Sequence, residues 1–336
     1  MKRAAGSALA VLVAVLPIAA QHPKAHAVRF NTAPTPDGLV TEPLWQQAQP
    51  LTGLIQRDPE EGAASTERTE VRFGYDDRNL YIGIIAFDSH PSEIMSTQNR
   101  RDGSLTETDS VQIMLDTFHD GHNAVIFGTT PTGIQYDAQV SKGGQGDSNA
   151  GRVGSSQGSV QTPGAAALNL NWDAVWEVKA QITPRGWEAE MVIPLTTLRF
   201  LPGKGRTWGV QVSRNLRRRN ELSFWSPIPR AYEITQVDAA GDLDGLDLAL
   251  HHDLQIVPYV LGGVTRDYTR RGHPGNYDKQ VGVDVKYSLT GSLTLDATVN
   301  TDFAQVEVDE QQVNLTRFNL FFPEKRSFFS GERRNF

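Results

Sequence analysis

Two carboxylates, Glu188 and Glu190, stand two residues apart in a segment that alternates between apolar and polar side chains. Such alternation predicts a strand, in which residues i and i+2 face the same side about 7 Å apart. Glycosidases use two carboxyl groups at a separation in this range. The pair is therefore a candidate for hydrolysis of O-glycosyl bonds. The alternative is the solvated polar face of an ordinary strand, because no neighbour in the sequence suggests a general acid.

Oxygen-bearing side chains also gather around one predicted hairpin, at Asp116, Asp120 and Asn123. Calcium binds six to eight oxygens from carboxylates, carbonyls and water, so these residues are candidate calcium ligands. Their spacing is not that of an EF-hand. The competing interpretation is a plain turn, in which Asp120-Gly121 supplies the required backbone conformation. A second charged motif, the basic run 214–219, indicates either an anion site or a solvated edge strand.

The elements that must position these residues are short strands separated by turn residues over segment 30–250. Residues 80–87 are apolar on both faces, as in a central strand. The clearest alternation runs from Trp172 to Ile182 and returns through Trp187 to Ile193 after the turn Pro184-Arg185-Gly186. No long stretch has a period of 3.6 residues. The pattern predicts an all-β fold, an antiparallel β-sandwich.

The N-terminus predicts export. Lys2 and Arg3 precede an apolar stretch from Ala8 to Leu16, which is typical of a secretory signal peptide. A small-x-small cleavage site ends at Ala27, with Ala20 as the alternative. The chain has no cysteine and a net charge of −7, so neither disulfides nor nucleic-acid binding is expected. We therefore expect an exported protein of the periplasm or outer membrane of a Gram-negative-type bacterium.

Residues 142–164 interrupt the strand pattern because they are rich in Gly and Ser and have no periodicity. This composition predicts a flexible surface loop, either a tolerated insertion or an access flap over a site. The organisation predicted is a signal peptide at 1–27, a sandwich at 28–248, and a second module at 249–336.

Segment 30–230 resembles a family 9 carbohydrate-binding domain. The resemblance is carried by Asp37-Gly38 with Trp45, by the stretch 75–81, by Asp109-Ser110-Val111, and by the stretch 186–190 followed by Ile193-Pro194. It implies a β-sandwich that binds sugars, with calcium in some members. The sugar-binding members place an aromatic residue beside the Asp-Ser-Val strand, whereas this chain has none in residues 104–108. That departure puts a clamp of two aromatic rings in doubt.

The C-terminal module has its own resemblance. From Leu293 to Asn300 the chain alternates, and it continues with Asp302-Phe303-Ala304 and later Phe321-Phe322-Pro323. These sequence motifs are similar to the start of an outer-membrane β-barrel domain of unknown function that follows family 9 domains in exported bacterial proteins. The resemblance implies an outer-membrane partner. With three or four such strands present, we expect an incomplete set, because the smallest barrels use eight.

For sugar contact the candidates are Trp172, Trp225, Asn171, Arg100 and Arg101, because flat rings stack on sugar C–H faces and polar groups bond to hydroxyls. Trp176, Trp187 and Trp208 alternate with polar residues and are predicted to pack in the core, and Trp45 is predicted to cover one end of the sandwich. We thus expect non-catalytic recognition of a cell-envelope glycan, with no required cofactor except possible calcium. The alternatives are glycosyl hydrolysis or a periplasmic plug for a membrane domain.

Overall fold

The computed structural model describes residues 22–141, 167–170, 172–249, 254–266, 275–290 and 293–300. Within these residues the chain forms seventeen strands and four short 3-10 helices, so the predicted all-β class is confirmed. The strands in chain order are β1 (Lys24–His26), β2 (Val28–Arg29), β3 (Ile55–Asp58), β4 (Thr69–Tyr75), β5 (Asn79–Phe87), β6 (Ser110–Asp116), β7 (Asn123–Thr129), β8 (Tyr136–Ser141), β9 (Ala167–Asn169), β10 (Glu177–Thr183), β11 (Gly186–Pro194), β12 (Gly203–Leu216), β13 (Glu221–Phe224), β14 (Gly241–Leu248), β15 (Leu254–Arg266), β16 (Gly275–Thr290) and β17 (Leu293–Val299). The 3-10 helices are Pro43–Gln47, Pro91–Glu93, Arg217–Arg219 and Val237–Ala239.

Three sheets contain these strands. Sheet A has nine strands in the order β1-β14-β12-β6-β7-β8-β9, with β13 added beside β12 and β3 beside β13. Sheet B has five strands in the order β10-β11-β5-β4-β2, and sheet C is β15-β16-β17. Pairing within the sheets is antiparallel except for β1 with β14 and β2 with β4.

The main core lies between sheets A and B and makes them a sandwich. It contains apolar residues from β6, β7, β12 and β14 on one side and from β4, β5 and β11 on the other. Along β11 the alternate residues Trp187, Ala189, Met191 and Ile193 are fully buried, as the period-two pattern predicts. Burial of such side chains is the main favourable term in folding, at roughly 25 cal/mol per Å² of apolar surface.

A segment preceding β3 covers the outer face of sheet B. We call residues 37–45 the N-terminal strap. Val40 and Trp45 of the strap pack with Phe30 on Tyr81 and Ile85 of β5. Strand β5 is therefore buried on both faces, which confirms its predicted central place. Gly83 of β5 leaves room for this packing, because a Cβ at this position would lie 3.1 Å from the Trp45 ring and the ring would have to shift.

The outer face of sheet A carries a second apolar cluster. Met114, Ile126 and Val140 on β6 to β8 pack against Ile228, Ile234 and Val237 of the connection between β13 and β14. The turn between β6 and β7 has the predicted chemistry, since Gly121 has a φ of 68°. The two faces of sheet A are thus both covered by apolar groups.

The first strand extends the folded unit towards the N-terminus. Lys24–His26 pairs in parallel with Asp242–Asp244 of β14, and Ala27 is buried. Residues 24–26, which precede the predicted sandwich start at residue 28, are therefore part of sheet A. Residues 1–21 of the predicted signal peptide, the predicted loop 142–164 and residues 301–336 lie outside the described residues.

Sheet C has one face rich in aliphatic residues. Its register places Val260 opposite Val281, and Val283 opposite both Pro258 and Val299. Paired residues share a face, and several of these aliphatic side chains are more than half exposed. In the part of the chain that the structure describes, no helix has the length and apolarity needed to cross a membrane.

Candidate functional site

Five of the six indoles are closed off from solvent, and all six lie within the described residues. Trp172 is the exception: it is partly exposed and packs against the core at one ring edge. Its centroid lies 6.0 Å from that of Phe127, at an interplanar angle of 66°. An edge contact of this kind holds the indole against the core.

Trp225, the other predicted stacking residue, does not lie in an exposed end loop. It is 7% exposed and belongs to the main core. Its backbone N–H donates to Val212 O at 2.9 Å, and its ring occupies the space beside Gly241, where a Cβ would be 2.4 Å away. The sequence interpretation of Trp225 is corrected, because burial of a large indole outweighs the polar flanking residues.

Beside Trp172, one guanidinium organises the surface. Arg101 Nη2 donates to Asp137 Oδ1 at 3.0 Å and to Asp173, and its Nη1 donates to Gln135 Oε1 at 3.2 Å. Arg101 Nε lies 3.5 Å from Asp102 Oδ2. We call Arg101, Asp102, Gln135, Asp137 and Asp173 the Arg101 cluster. The Arg101 side chain is 40% exposed, so the cluster opens to solvent.

Asp137 is the buried anchor of this cluster. Its side chain is fully buried, and it accepts hydrogen bonds from Ala174 N at 2.6 Å and Trp176 Nε1 at 3.1 Å. Burial raises the pKa of the Asp137 carboxyl, against the lowering effects of these donors and of Arg101. The carboxylate thereby holds the chain just after Asp173, at Ala174 and Trp176.

The remaining predicted sugar contacts are Arg101, Arg100 and Asn171. Arg101 belongs to the cluster, while Arg100 is exposed beside it in the chain. Asn171 lies outside the described residues. Sequence patterns did not single out Asp102, Gln135, Asp137 or Asp173. One signal was available, because Asp137 is a carboxylate on β8 in register with Phe127 of β7.

The carboxylate pair has a structural role, contrary to the predicted solvated face. Glu188 and Glu190 are 2% and 1% exposed, beneath the N-terminal strap. Glu190 accepts from the Asp37 and Gly38 backbone N–H groups at 2.9 and 3.0 Å and from Trp45 Nε1 at 2.9 Å. Burial raises its pKa to about 7 in spite of these donors.

Glu188 is engaged in the same way. Its Oε2 accepts from Val40 N at 3.1 Å, and Arg185 pairs with both of its oxygens. The two carboxylates thus tie the strap to β11. Because their oxygens already accept from strap and turn donors, this geometry does not present them to a polysaccharide.

The predicted calcium ligands form a turn. Asp116 accepts from Asp120 N at 3.2 Å and Gly121 N at 2.8 Å. Asp120 accepts from His122 N and Asn123 N, and its second oxygen accepts from Asn123 Nδ2 at 2.8 Å. These bonds are those of an Asx-type turn, as the turn interpretation expects, and calcium binding at this turn stays a prediction.

A different acidic group lies near the basic run. Single ligand atoms of Glu67, Asp88 and His90 lie within 4.8 Å of one another. Arg218 bonds to Glu67 Oε1 and Asp88 Oδ1 at 2.7 Å each, so an internal cation is already paired with both carboxylates. Arg214 is buried, and Arg217 pairs with Glu107. The predicted anion site or solvated edge is therefore wrong for Arg214 and Arg218, which bind groups of the chain itself, while the ion pair of Arg217 with Glu107 is exposed to solvent.

Comparison with known proteins gives one family match and several structural likenesses. Residues 252–332 match the Domain of unknown function (DUF5916). No curated protein matches the chain. The family match covers the C-terminal part alone, where the sequence resembled a domain of unknown function.

Three solved structures are similar in fold over about two thirds of the chain. Two are structures of a family 9 carbohydrate-binding module (CBM9) from Caldicellulosiruptor kristjanssonii. The complex with cellotriose has 15% identity and a TM-score of 0.44, covering 68% of this chain and 95% of that one. The complex with glucose has 15% identity and a TM-score of 0.45, covering 68% and 97%. A carbohydrate-binding protein assigned as putative, from Bacteroides uniformis ATCC 8492, has 12% identity and a TM-score of 0.48, covering 67% and 99%.

Proposed function

We propose that the sandwich binds a carbohydrate at the cell envelope without transforming it, and that the surface formed by Trp172 and the Arg101 cluster is the binding site. The observation that carries the proposal is the partial exposure of Trp172, since the other five indoles are buried. Sugars present flat C–H faces and a rim of hydroxyls. A site for them needs an aromatic face next to fixed hydrogen-bonding groups.

The Arg101 cluster supplies such groups. Asp173 is 74% exposed and keeps acceptor capacity beyond its bond to Arg101. Gln135 lies beside Asp173, because its Oε1 accepts a hydrogen bond from Nη1 of the same arginine, Arg101. Because Asp137 holds this segment from below, the exposed groups keep their positions before a ligand arrives. Such preorganisation lowers the entropic cost of binding.

The net charge of the cluster favours neutral sugars. Asp102, Asp137 and Asp173 surround the single guanidinium of Arg101. Carboxylates accept hydrogen bonds from hydroxyl groups, whereas they repel the carboxylates of uronic acids. We therefore expect neutral oligosaccharides to bind in preference to uronate polymers.

The experiment is a glycan array on the exported chain, followed by isothermal titration of the best ligand. Trp172→Ala should reduce affinity at least tenfold, because loss of one stacked ring removes most of the apolar contact. Asp173→Ala should weaken binding less. Tyr232→Ala is the matched control, since Tyr232 is an exposed aromatic residue outside the cluster.

Two results would contradict the proposal. One is an array without any bound glycan for the folded wild-type protein. The other is a glycan whose affinity is the same for wild type and Trp172→Ala, which would move the site elsewhere on the sandwich. Melting temperatures of each variant separate loss of a contact from loss of the fold.

A second function concerns the membrane, and it is favoured by sheet C. Six aliphatic side chains on this sheet are 52–80% exposed: Ile256, Val260, Val264, Val281, Leu295 and Val299. They share one face by register, and continuous exposed apolar surface of this kind marks an interaction site. We propose that this face contacts the outer membrane of a Gram-negative-type bacterium, to which the chain is exported.

Fractionation tests this placement. The full chain should sediment with outer membranes and resist extraction by high salt, because its attachment is apolar. A double variant, Val260→Asp with Val281→Asp, should move it to the soluble fraction. If the wild type is soluble after export, or if the double variant stays attached, the membrane role of sheet C fails.

A further inference from the structure

Residues 22–27 are part of the sandwich although they precede the predicted cleavage site at Ala27. Asp242 N donates to Pro23 O at 2.9 Å, and Ala27 N donates to Asp244 O at 2.9 Å. Between these bonds lies the parallel register of β1 with β14. His22 Nδ1 reaches Ala240 O at 2.7 Å, so contact with this edge begins at the first described residue.

Strand β14 is shaped for this neighbour. A Cβ at Gly241 would lie 2.6 Å from Pro23 O, and one at Gly245 would lie 2.7 Å from Ala27 O. Both distances are shorter than real Cβ contacts. The Trp225 ring, 2.4 Å from a Cβ at Gly241, and the φ of 83° at Gly245 also require glycine at these two positions. The two glycines therefore allow β1 to lie close to β14.

Cleavage after Ala27 would remove this strand. It would expose the edge of β14 and take away the buried Ala27. Cleavage after Ala20 would leave the whole of β1 attached. Ala20 also follows closely on the apolar stretch that ends at Leu16, as the cleavage site of a signal peptide does.

We propose that the exported chain is processed between Ala20 and Gln21, so that residues 22–27 are retained as the edge strand of sheet A. The reaction is hydrolysis by a signal peptidase of the exporting cell. Water adds across the peptide bond, Ala20 leaves with the leader as a carboxylate, and Gln21 becomes the new amino terminus.

The direct test is mass spectrometry of the N-terminal peptide of the full chain, exported from a Gram-negative host and recovered from the envelope. The expected peptide begins at Gln21, either with a free amine or cyclised with loss of ammonia. A peptide beginning at Val28, any other terminus, or an uncut chain would overturn the proposal. Glycan binding is measured separately, so failure of one proposal is distinguishable from failure of the other.

A matched pair of variants sharpens the test. Ala20→Val places a branched side chain where a small residue is needed, and uncut precursor should accumulate. Ala27→Val makes the same change at the other candidate site and should leave the Gln21 terminus unaltered. If Ala27→Val blocks processing while Ala20→Val does not, the assignment is reversed.

Retention of β1 also has a stability readout. Two full chains are expressed without the leader, one beginning at Gln21 and the other at Val28. The shorter chain loses at least two backbone hydrogen bonds and the burial of Ala27, so its melting temperature should fall by about 5 °C or more. Equal melting temperatures would show that β1 is dispensable and would overturn the argument.

Discussion

Replacement of Asp137 by Asn tests whether a buried carboxylate positions the candidate site. Asn keeps the shape but replaces one oxygen with an NH₂ group. Asp137 Oδ1 serves Arg101 and Trp176, while Oδ2 accepts from Ala174 N at 2.6 Å. The amide will turn its oxygen to the pair of donors, so its nitrogen will face the Ala174 N–H. A buried donor without an acceptor costs about 1–3 kcal/mol.

Two further effects oppose each other. The ion pair with Arg101 is weakened, which costs less than about 1 kcal/mol because Arg101 is 40% exposed. In the other direction, Asn removes a charge whose burial is unfavourable, as the raised pKa of Asp137 indicates. The net expectation is a loss of about 1–3 kcal/mol in the free energy of unfolding.

Urea denaturation measures that free energy, and hydrogen exchange of the peptide around Ala174 locates the change. Asp173→Asn is the control, because Asp173 also bonds to Arg101 but is 74% exposed. It should change stability by no more than about 0.5 kcal/mol. If the two variants are equally stable, or if exchange near Ala174 stays the same, Asp137 is not the anchor of this segment.

Three other variants test the remaining buried groups. The folded-state pKa of Glu190, about 7, lies above its ordinary value of 4.5. The stabilising contribution of protonated Glu190 is therefore complete below about pH 4.5 and is lost as the pH rises to about 7. In denaturant titrations the unfolding free energy of the wild type should fall between about pH 5 and pH 8, and Glu190→Gln should lessen that fall. A wild type and variant with parallel pH profiles would contradict this assignment. Arg214→Met should lower the free energy of unfolding in urea by about 3–5 kcal/mol, because the buried guanidinium donates to Arg68 O at 2.9 Å and Phe87 O at 2.6 Å. The control Arg219→Met should be neutral, because Arg219 is exposed. A small effect at Arg214 would show that its partners find other donors. Trp225→Phe should lower the melting temperature and leave glycan affinity unchanged, and a selective loss of affinity would return Trp225 to the site.

The sandwich could be predicted because its strands follow the period-two rule locally. In β6, Val111, Ile113 and Leu115 are fully buried, and in β12 so are Val210 and Val212. Each pattern needs only the preference of apolar side chains for one face. At the sheet edge the rule weakens: on β10, Val178 is buried whereas Ile182 is 53% exposed.

The chemistry of the polar faces could not be predicted in the same way. Alternation places Glu188 and Glu190 on the face away from the core, which is correct. It does not reveal that a segment about 150 residues earlier in the chain covers that face and supplies three backbone donors. Covering of a strand by a segment distant in sequence depends on tertiary packing, which local periodicity does not predict.

One physical rule connects the buried carboxylates of this fold. Irregular segments that cross a sheet bring backbone N–H groups away from water, and each needs an acceptor. Glu190 serves the strap, Asp116 the hairpin turn, Glu221 the Thr66 N–H at 3.0 Å, and Asp137 the segment before β10. The first three of these segments form turns or apolar contacts. The fourth begins near Trp172, a partly exposed indole beside solvent-facing polar groups. The same device that fixes ordinary loops elsewhere would there fix a recognition surface, so a change at Asp137 should weaken glycan binding even though Asp137 itself never touches the sugar.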